Sequence, residues 1–336
     1  MKFFWRLLTL IALWRMFGPV IPPRWRAQQE HPWKVPARTV FAGDREMSVR
    51  EVGPVDAPVI VLIHGLAGSS MAEWYKVAPL LADRFRVVMI DHRSHGLSVP
   101  ERGRFEIEDE ADDVAAVVHA LNLEPVGIAG YSMGGAIAQA VAYRHPHLVK
   151  KLALVGAMSH HPTAWKLGRS LGAFITRAWE RLTGTGTPEV RAGYLLAIGA
   201  VDPKHARWLW DETHRRDPDA GAAASLALFR FDGRPHLSRI TAPTLVVIPA
   251  KDQLVPPKWQ RELASLIKDS RIEELNDARH ELPWSHAEQL AKLLGEFFAE
   301  SGSRSEVQGS KARNPLTSNL QPQDFNFKPQ TGSLEK

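Results

Sequence analysis

The chain of 336 residues contains no cysteine. That excludes disulfide bonds, thiolate catalysis and cysteine-ligated metal centres. It also lacks a long apolar run: in the most hydrophobic segment, residues 3–20, Arg6 and Arg15 leave only Leu7 to Trp14 uninterrupted. A bilayer core needs about 20 such residues. A broad excess of positive charge is missing as well. Seven basic residues and one acidic residue lie in 1–38, and the remainder carries 35 basic against 36 acidic. A nucleic-acid binder spreads basic charge over its folded body, so that class is set aside. No internal repeat is visible, and no paired histidines at helical spacing or carboxylate cluster suggests a metal site.

What is present at the N-terminus is a basic, apolar segment with interface-type tryptophans, Trp5 and Trp14, closed by Pro19, Pro22 and Pro23. With its arginines snorkelling, residues 3–20 would extend about 27 Å as a helix. The expectation is a membrane-associating segment over 1–38, and the basic residues that follow the apolar stretch would leave the folded body on the cytoplasmic side. A secretory signal is the alternative, although no small-x-small cleavage site is evident. At the other end, residues 301–336 are rich in Ser, Gln, Asn, Gly and Pro, a composition with little to bury and an expected disordered tail.

Between these ends the chain alternates. Residues 39–52 read as a hairpin turning at Gly43-Asp44. Short β-branched runs follow at 58–63, 85–90, 126–129, 152–155 and 245–248, separated by helical patterns at 77–82, 108–121 and 134–144. Continuous apolar runs of this length suit strands buried on both faces of a parallel sheet. The expected architecture is therefore α/β, with a mostly parallel central sheet flanked by helices. Alternation stops between about 157 and 238, where a Trp-rich helical insertion is expected to form a cap; residues 39–156 and 239–299 would form the core.

Gly130-Tyr131-Ser132-Met133-Gly134-Gly135 follows one of these runs and opens a helical stretch. A serine on a sharp strand-to-helix turn needs neighbours without side chains, and Gly130 and Gly134 supply that. With this context the chain resembles the α/β-hydrolase superfamily over about residues 39–299. His64-Gly65-Leu66 is similar to the family's oxyanion loop. Asp91-His92-Arg93-Ser94-His95-Gly96-Leu97-Ser98 resembles its D-x-R-G-x-G-x-S turn, with Ser94 where the pattern has glycine.

The resemblance implies Ser132 as nucleophile, with the Leu66 and Met133 backbone N–H groups as oxyanion donors. A serine hydroxyl also needs a base oriented by a carboxylate. Chain order points to Asp252, in the loop after the run ending LVVIPA, and to His280, ahead of the last helix. Ala250 and Arg279 stand where the family often has glycine. His286 and Asp202 are the competing base and acid, each better read as a solvated or capping residue.

The function implied is a cofactor-free and metal-free serine hydrolase that cleaves a carboxylic ester, with a small-molecule or lipid-like substrate and a membrane surface as partner. Perhydrolysis, carbon–carbon hydrolysis, peptide cleavage and acyl transfer use the same triad. A tethered binding protein that has lost turnover is the alternative from outside enzymology. Chain length and composition leave the oligomeric state open.

Overall fold

The computed structural model describes residues 32–300, except 67, 99–104, 163–167, 169, 170, 173, 177, 180–185 and 215–217. The apolar stretch at residues 3–20, expected to associate with a membrane, and the tail at 301–336 lie outside the described residues. Among the described residues, no helix is long and apolar enough to cross a membrane.

One eight-stranded sheet organises the chain, in the order β1-β2-β4-β3-β5-β6-β7-β8. The hairpin at one edge is β1 (Ala37–Ala42) and β2 (Arg45–Val52), turning at Gly43, whose φ of +67° suits glycine. β2 runs antiparallel to β4 (Arg86–Ile90). From there the pairing is parallel through β3 (Val59–Ile63), β5 (Val126–Tyr131), β6 (Val149–Val155), β7 (Thr244–Pro249) and β8 (Ser270–Leu275). This is the mostly parallel α/β architecture that the strand and helix pattern led one to expect, in the form that the resemblance to the α/β-hydrolases implied.

The continuous apolar runs are explained by the pleat. In β3, Val61 and Ile63 face one apolar cluster while Ile60 and Leu62 face the other. All four are buried. The first cluster is roofed by α3 (Ile107–Ala120), α4 (Met133–Arg144) and α8 (Pro257–Ser265). On the opposite face lie α1 (Ser70–Trp74), α2 (Ala78–Leu81), α9 (Leu282–Ser285) and α10 (Ala287–Ala299). Helix α4 is buried on nearly every side, and its small residues Gly134, Gly135, Ala136 and Ala138 let it sit close to the strands.

Between β6 and β7 the chain makes α5 (Thr187–Ala197), α6 (Ala206–His214) and α7 (Pro218–Arg230). It leaves and re-enters the sheet region at one point, where His160 and Asp232 form an isolated antiparallel bridge. Connections run in opposite directions from β3, toward β4, and from β5, toward β6. The crevice beyond the C-terminal ends of β3 and β5 is thus a topological switch point, where α/β sheets bind ligands.

Candidate active site

Ser132 follows β5 and precedes α4 with φ +54° and ψ −117°, a left-handed backbone that a serine adopts only under constraint. The surrounding glycines show the constraint. A Cβ on Gly130 would lie 2.2 Å from the Gly134 carbonyl oxygen, and one on Gly134 would lie 2.3 Å from the Ile63 carbonyl oxygen. Both obstacles are backbone and cannot move aside. The Ser132 N–H donates to the Val155 carbonyl (2.9 Å), tying the turn to the neighbouring strand.

The loops after β7 and β8 deliver the two other expected residues. His280 Nε2 lies 3.0 Å from Ser132 Oγ, and its Nδ1 lies 2.8 Å from Asp252 Oδ2. Asp252 is buried, and its Oδ1 accepts from the backbone N–H groups of Leu254 (2.9 Å) and Val255 (2.8 Å). Gln260 Nε2 donates to Oδ2 at 3.2 Å. With Asp252 held as an acceptor on all sides, His280 Nδ1 must donate, which leaves Nε2 to accept the serine proton. Ala250 and Arg279 do not disturb this: the Ala250 N–H reaches the Leu275 carbonyl (3.0 Å), and that of Lys251 reaches Ala278 (2.9 Å), lacing the two loops together.

The competitors lie elsewhere. His286 stands at the position preceding α10 without a side-chain bond to its amides, and its Nδ1 lies 2.8 Å from Ser285 Oγ. Asp202 accepts from the Lys204 N–H at 2.9 Å and is half exposed.

Behind the oxyanion loop, His64 is wholly buried. Its Nε2 accepts the His92 backbone N–H (3.0 Å), so its proton sits on Nδ1, which donates to the Gly65 carbonyl (2.8 Å). Burial, reinforced by the neighbouring His92 and His95 rings, holds its pKa well below the usual imidazole range. A trans peptide points C=O and N–H oppositely, so fixing the Gly65 carbonyl on His64 turns the Leu66 N–H away from that ring. Among the described residues, neither the Leu66 nor the Met133 N–H donates to a protein acceptor. Met133 is the first residue of α4, where helix amides favour negative charge.

The Asp91 turn is structural. Asp91 takes the Ser70 and Leu97 N–H groups (2.8 and 3.0 Å) and pairs with buried Arg50 at 3.1 Å. Ser94 adopts a left-handed turn, at φ +56°, where the resembled pattern has glycine. His64, His92 and His95 pack ring against ring, and among the described residues no group of His, Asp or Glu is arranged to hold a metal ion.

Sequence reasoning did not single out four residues that shape this site. Tyr131 donates its hydroxyl to the His280 carbonyl (2.8 Å) and packs its ring 5.2 Å from the imidazole. Trp284 donates Nε1 to the Ala72 carbonyl at 2.8 Å. Glu73, wholly buried, and Arg191, from α5, meet at 3.0 Å beside the oxyanion loop. Only Tyr131 carried a signal, as the residue preceding the serine in the glycine-flanked motif.

Residues 58–173 match the alpha/beta hydrolase fold family. Over 268 residues the chain is 31% identical to a pimeloyl-(acyl-carrier protein) methyl ester esterase of Neisseria meningitidis serogroup A, covering 75% of this chain and 80% of that protein. The chain belongs to the α/β-hydrolase family. Further relatives of this hydrolase include the pyrrolizixenacetamide deacetylase of Xenorhabdus hominickii, 26% identical over 269 residues, 77% of this chain and 97% of that one. Among solved structures, the enol-lactonase of Burkholderia xenovorans LB400 superposes with a TM-score of 0.67 at 26% identity, covering 79% of this chain and all of that one. The family assignment makes the protein a hydrolytic enzyme.

Proposed function

We propose that this α/β-hydrolase cleaves a carboxylic ester through an acyl-enzyme formed on Ser132. The observation that carries the reading is the unbroken line of hydrogen bonds from Ser132 Oγ through His280 to Asp252. Ser132 Oγ attacks the ester carbonyl carbon as its proton passes to His280 Nε2. Asp252 holds the imidazole in the required tautomer and stabilises the imidazolium that forms. Oxyanion charge develops on the former carbonyl oxygen, and the Leu66 and Met133 N–H groups receive it, a role in which one donor typically supplies about 3 kcal/mol. Collapse expels the alcohol, which takes the proton from His280. Water then attacks the acyl carbon as its proton passes to His280 Nε2, and collapse of the second tetrahedral intermediate breaks the bond to Ser132 Oγ, which takes that proton back from His280 as the acid leaves.

Ester-cleaving and lactone-cleaving proteins among the similar proteins support this bond type. For the substrate, the proposal is an apolar, lipid-like ester met at a membrane surface, with the body on the cytoplasmic side. Supporting it are the basic apolar segment at residues 3–20 and the exposed apolar side chains Leu171, Phe174, Ile175, Val190 and Ile198 in the β6–β7 insertion. That insertion is proposed to act as the cap that selects the acyl group.

A fluorophosphonate probe tests the nucleophile: the wild type should be labelled and Ser132→Ala should not. Equal labelling of the two would remove the serine mechanism. Turnover of a chain-length series of model esters, with and without anionic vesicles, tests the substrate class. A preference for the shortest acyl chain that vesicles do not alter would overturn the lipid reading.

A further inference from the structure

Burying a carboxylate is costly unless a cation and hydrogen bonds compensate it. Glu73 is wholly buried beside the oxyanion loop, and its cation comes from the insertion rather than from the sheet. Arg191, on α5, places Nη1 3.0 Å from Glu73 Oε1. The same nitrogen donates to the Leu66 carbonyl at 3.4 Å. The guanidinium lies 5.3 Å from the centre of the Trp284 ring, which is itself pinned through Nε1 to α1. The other carboxylate oxygen of Glu73 accepts the Gly65 N–H at 2.5 Å.

Gly65 in turn presses on the nucleophile. A Cβ built there would lie 3.1 Å from the Ser132 Cβ and 3.2 Å from Glu73 Oε2. The two peptides that flank the Leu66 donor are therefore gripped from both sides. His64 holds the Gly65 carbonyl from the end of β3, Glu73 holds the Gly65 N–H from α1, and Arg191 holds the Leu66 carbonyl from the insertion.

We infer that Glu73 and Arg191 are positioning residues that couple the seating of the insertion on the core to the alignment of the Leu66 oxyanion donor. The inference rests on the serine ester hydrolase reading above. When α5 is seated, the ion pair locks the loop in the geometry that receives the oxyanion. When α5 lifts, the Gly65–Leu66 segment loses the Arg191 anchor on the Leu66 carbonyl, and Glu73, which holds the Gly65 N–H from α1, loses the cation that compensates its burial. Substrate that seats the insertion would thereby complete the site that acts on it. A buried pair placed this way acts on the transition state more than on substrate affinity.

The test uses the full chain, with Glu73→Gln, Arg191→Met, Arg191→Lys and the double Glu73→Gln/Arg191→Met variant. Each is assayed on a small activated ester and with a trifluoromethyl ketone that forms a tetrahedral adduct on serine. Coupling predicts that kcat falls about 10- to 100-fold in each non-conservative single variant, the range of a weakened oxyanion donor. KM should change by less than about threefold, and inhibitor affinity should fall in step with kcat. The double variant should be no slower than the worse single one, and Arg191→Lys should recover part of kcat.

Kcat within about twofold of wild type in both single variants, or a loss confined to KM that tracks acyl length, would overturn the inference. If Glu73→Gln does not fold, Arg191→Lys and Arg191→Met decide it alone, since Arg191 is partly exposed. Wild-type turnover abolished by Ser132→Ala must accompany the comparison. Without it the serine reading fails; with it, a null result fails the coupling only.

Discussion

Two loops at the same sheet edge each hold a histidine whose nitrogens are both engaged, yet the two do opposite things. After β8, His280 is partly exposed, and its ring joins a carboxylate to a hydroxyl. After β3, His64 is wholly buried, and its ring joins two backbone groups, the Gly65 carbonyl and the His92 N–H. A carboxylate can stabilise the imidazolium that proton transfer creates, whereas a backbone N–H aimed at Nε2 forbids it. His280 is thus equipped to move a proton and His64 to refuse one. On the proposed mechanism, the partner atoms and not the residue type divide catalysis from scaffolding.

The largest expected effect follows from removing each ring in turn. His280→Ala should lower kcat by about 10⁴- to 10⁶-fold, as in other triads, with little change in unfolding free energy. His64→Ala should lower kcat less, by about 10- to 1000-fold, through a misdirected Leu66 N–H. It should also destabilise the fold by about 2–5 kcal/mol, because two buried backbone groups lose their partner. Stopped-flow hydrolysis and urea unfolding on both variants check the split. A His64→Ala protein as inactive as His280→Ala would erase the distinction drawn between the two loops.

A smaller effect sharpens it in pH. Burial holds the folded pKa of His64 well below the usual value, whereas the unfolded chain protonates this residue in the ordinary imidazole range. The unfolded state therefore binds more protons as pH drops through that range. Stability from this group is complete above it and is lost as pH falls toward the depressed folded pKa, at up to about 1.4 kcal/mol per pH unit. Urea midpoints of wild type and His64→Asn, measured from neutral to mildly acidic pH, should converge as the solution is acidified. Parallel curves would mean that His64 takes up a proton in the folded protein.

Much of this arrangement was legible in the chain because it is local. The runs that became β3, β5 and β7 are continuous and apolar since both faces of the sheet are covered, and Gly130 and Gly134 announce the turn that Ser132 occupies. Asp252 and His280 could be placed because each follows a strand, at a sheet edge where loops converge. Glu73 and Arg191 could not. A glutamate in a short helix and an arginine in an amphipathic one read as surface charges, and only the return of α5 over the oxyanion loop buries the first against the second. Ser94 shows a milder version: its left-handed backbone is imposed by the Asp91 turn around it, not by its own preference.

The smallest expected effect concerns the third histidine near this edge. His286 lies six residues beyond His280, so by sequence spacing alone it competes for the role of base. Its ring bonds instead to Ser285 Oγ, and it makes no side-chain hydrogen bond to the amides of α10. His286→Ala should therefore leave kcat/KM within about twofold of wild type and shift stability by no more than about 0.5 kcal/mol, the ordinary range for a surface substitution. The result carries weight because the replaced group differs from His280 in partners and not in chemistry. Loss of hydrolysis in His286→Ala, with turnover retained in His280→Ala, would mean that the loop after β8 rearranges during the reaction, and that the hydrogen bonds seen at rest do not choose the base.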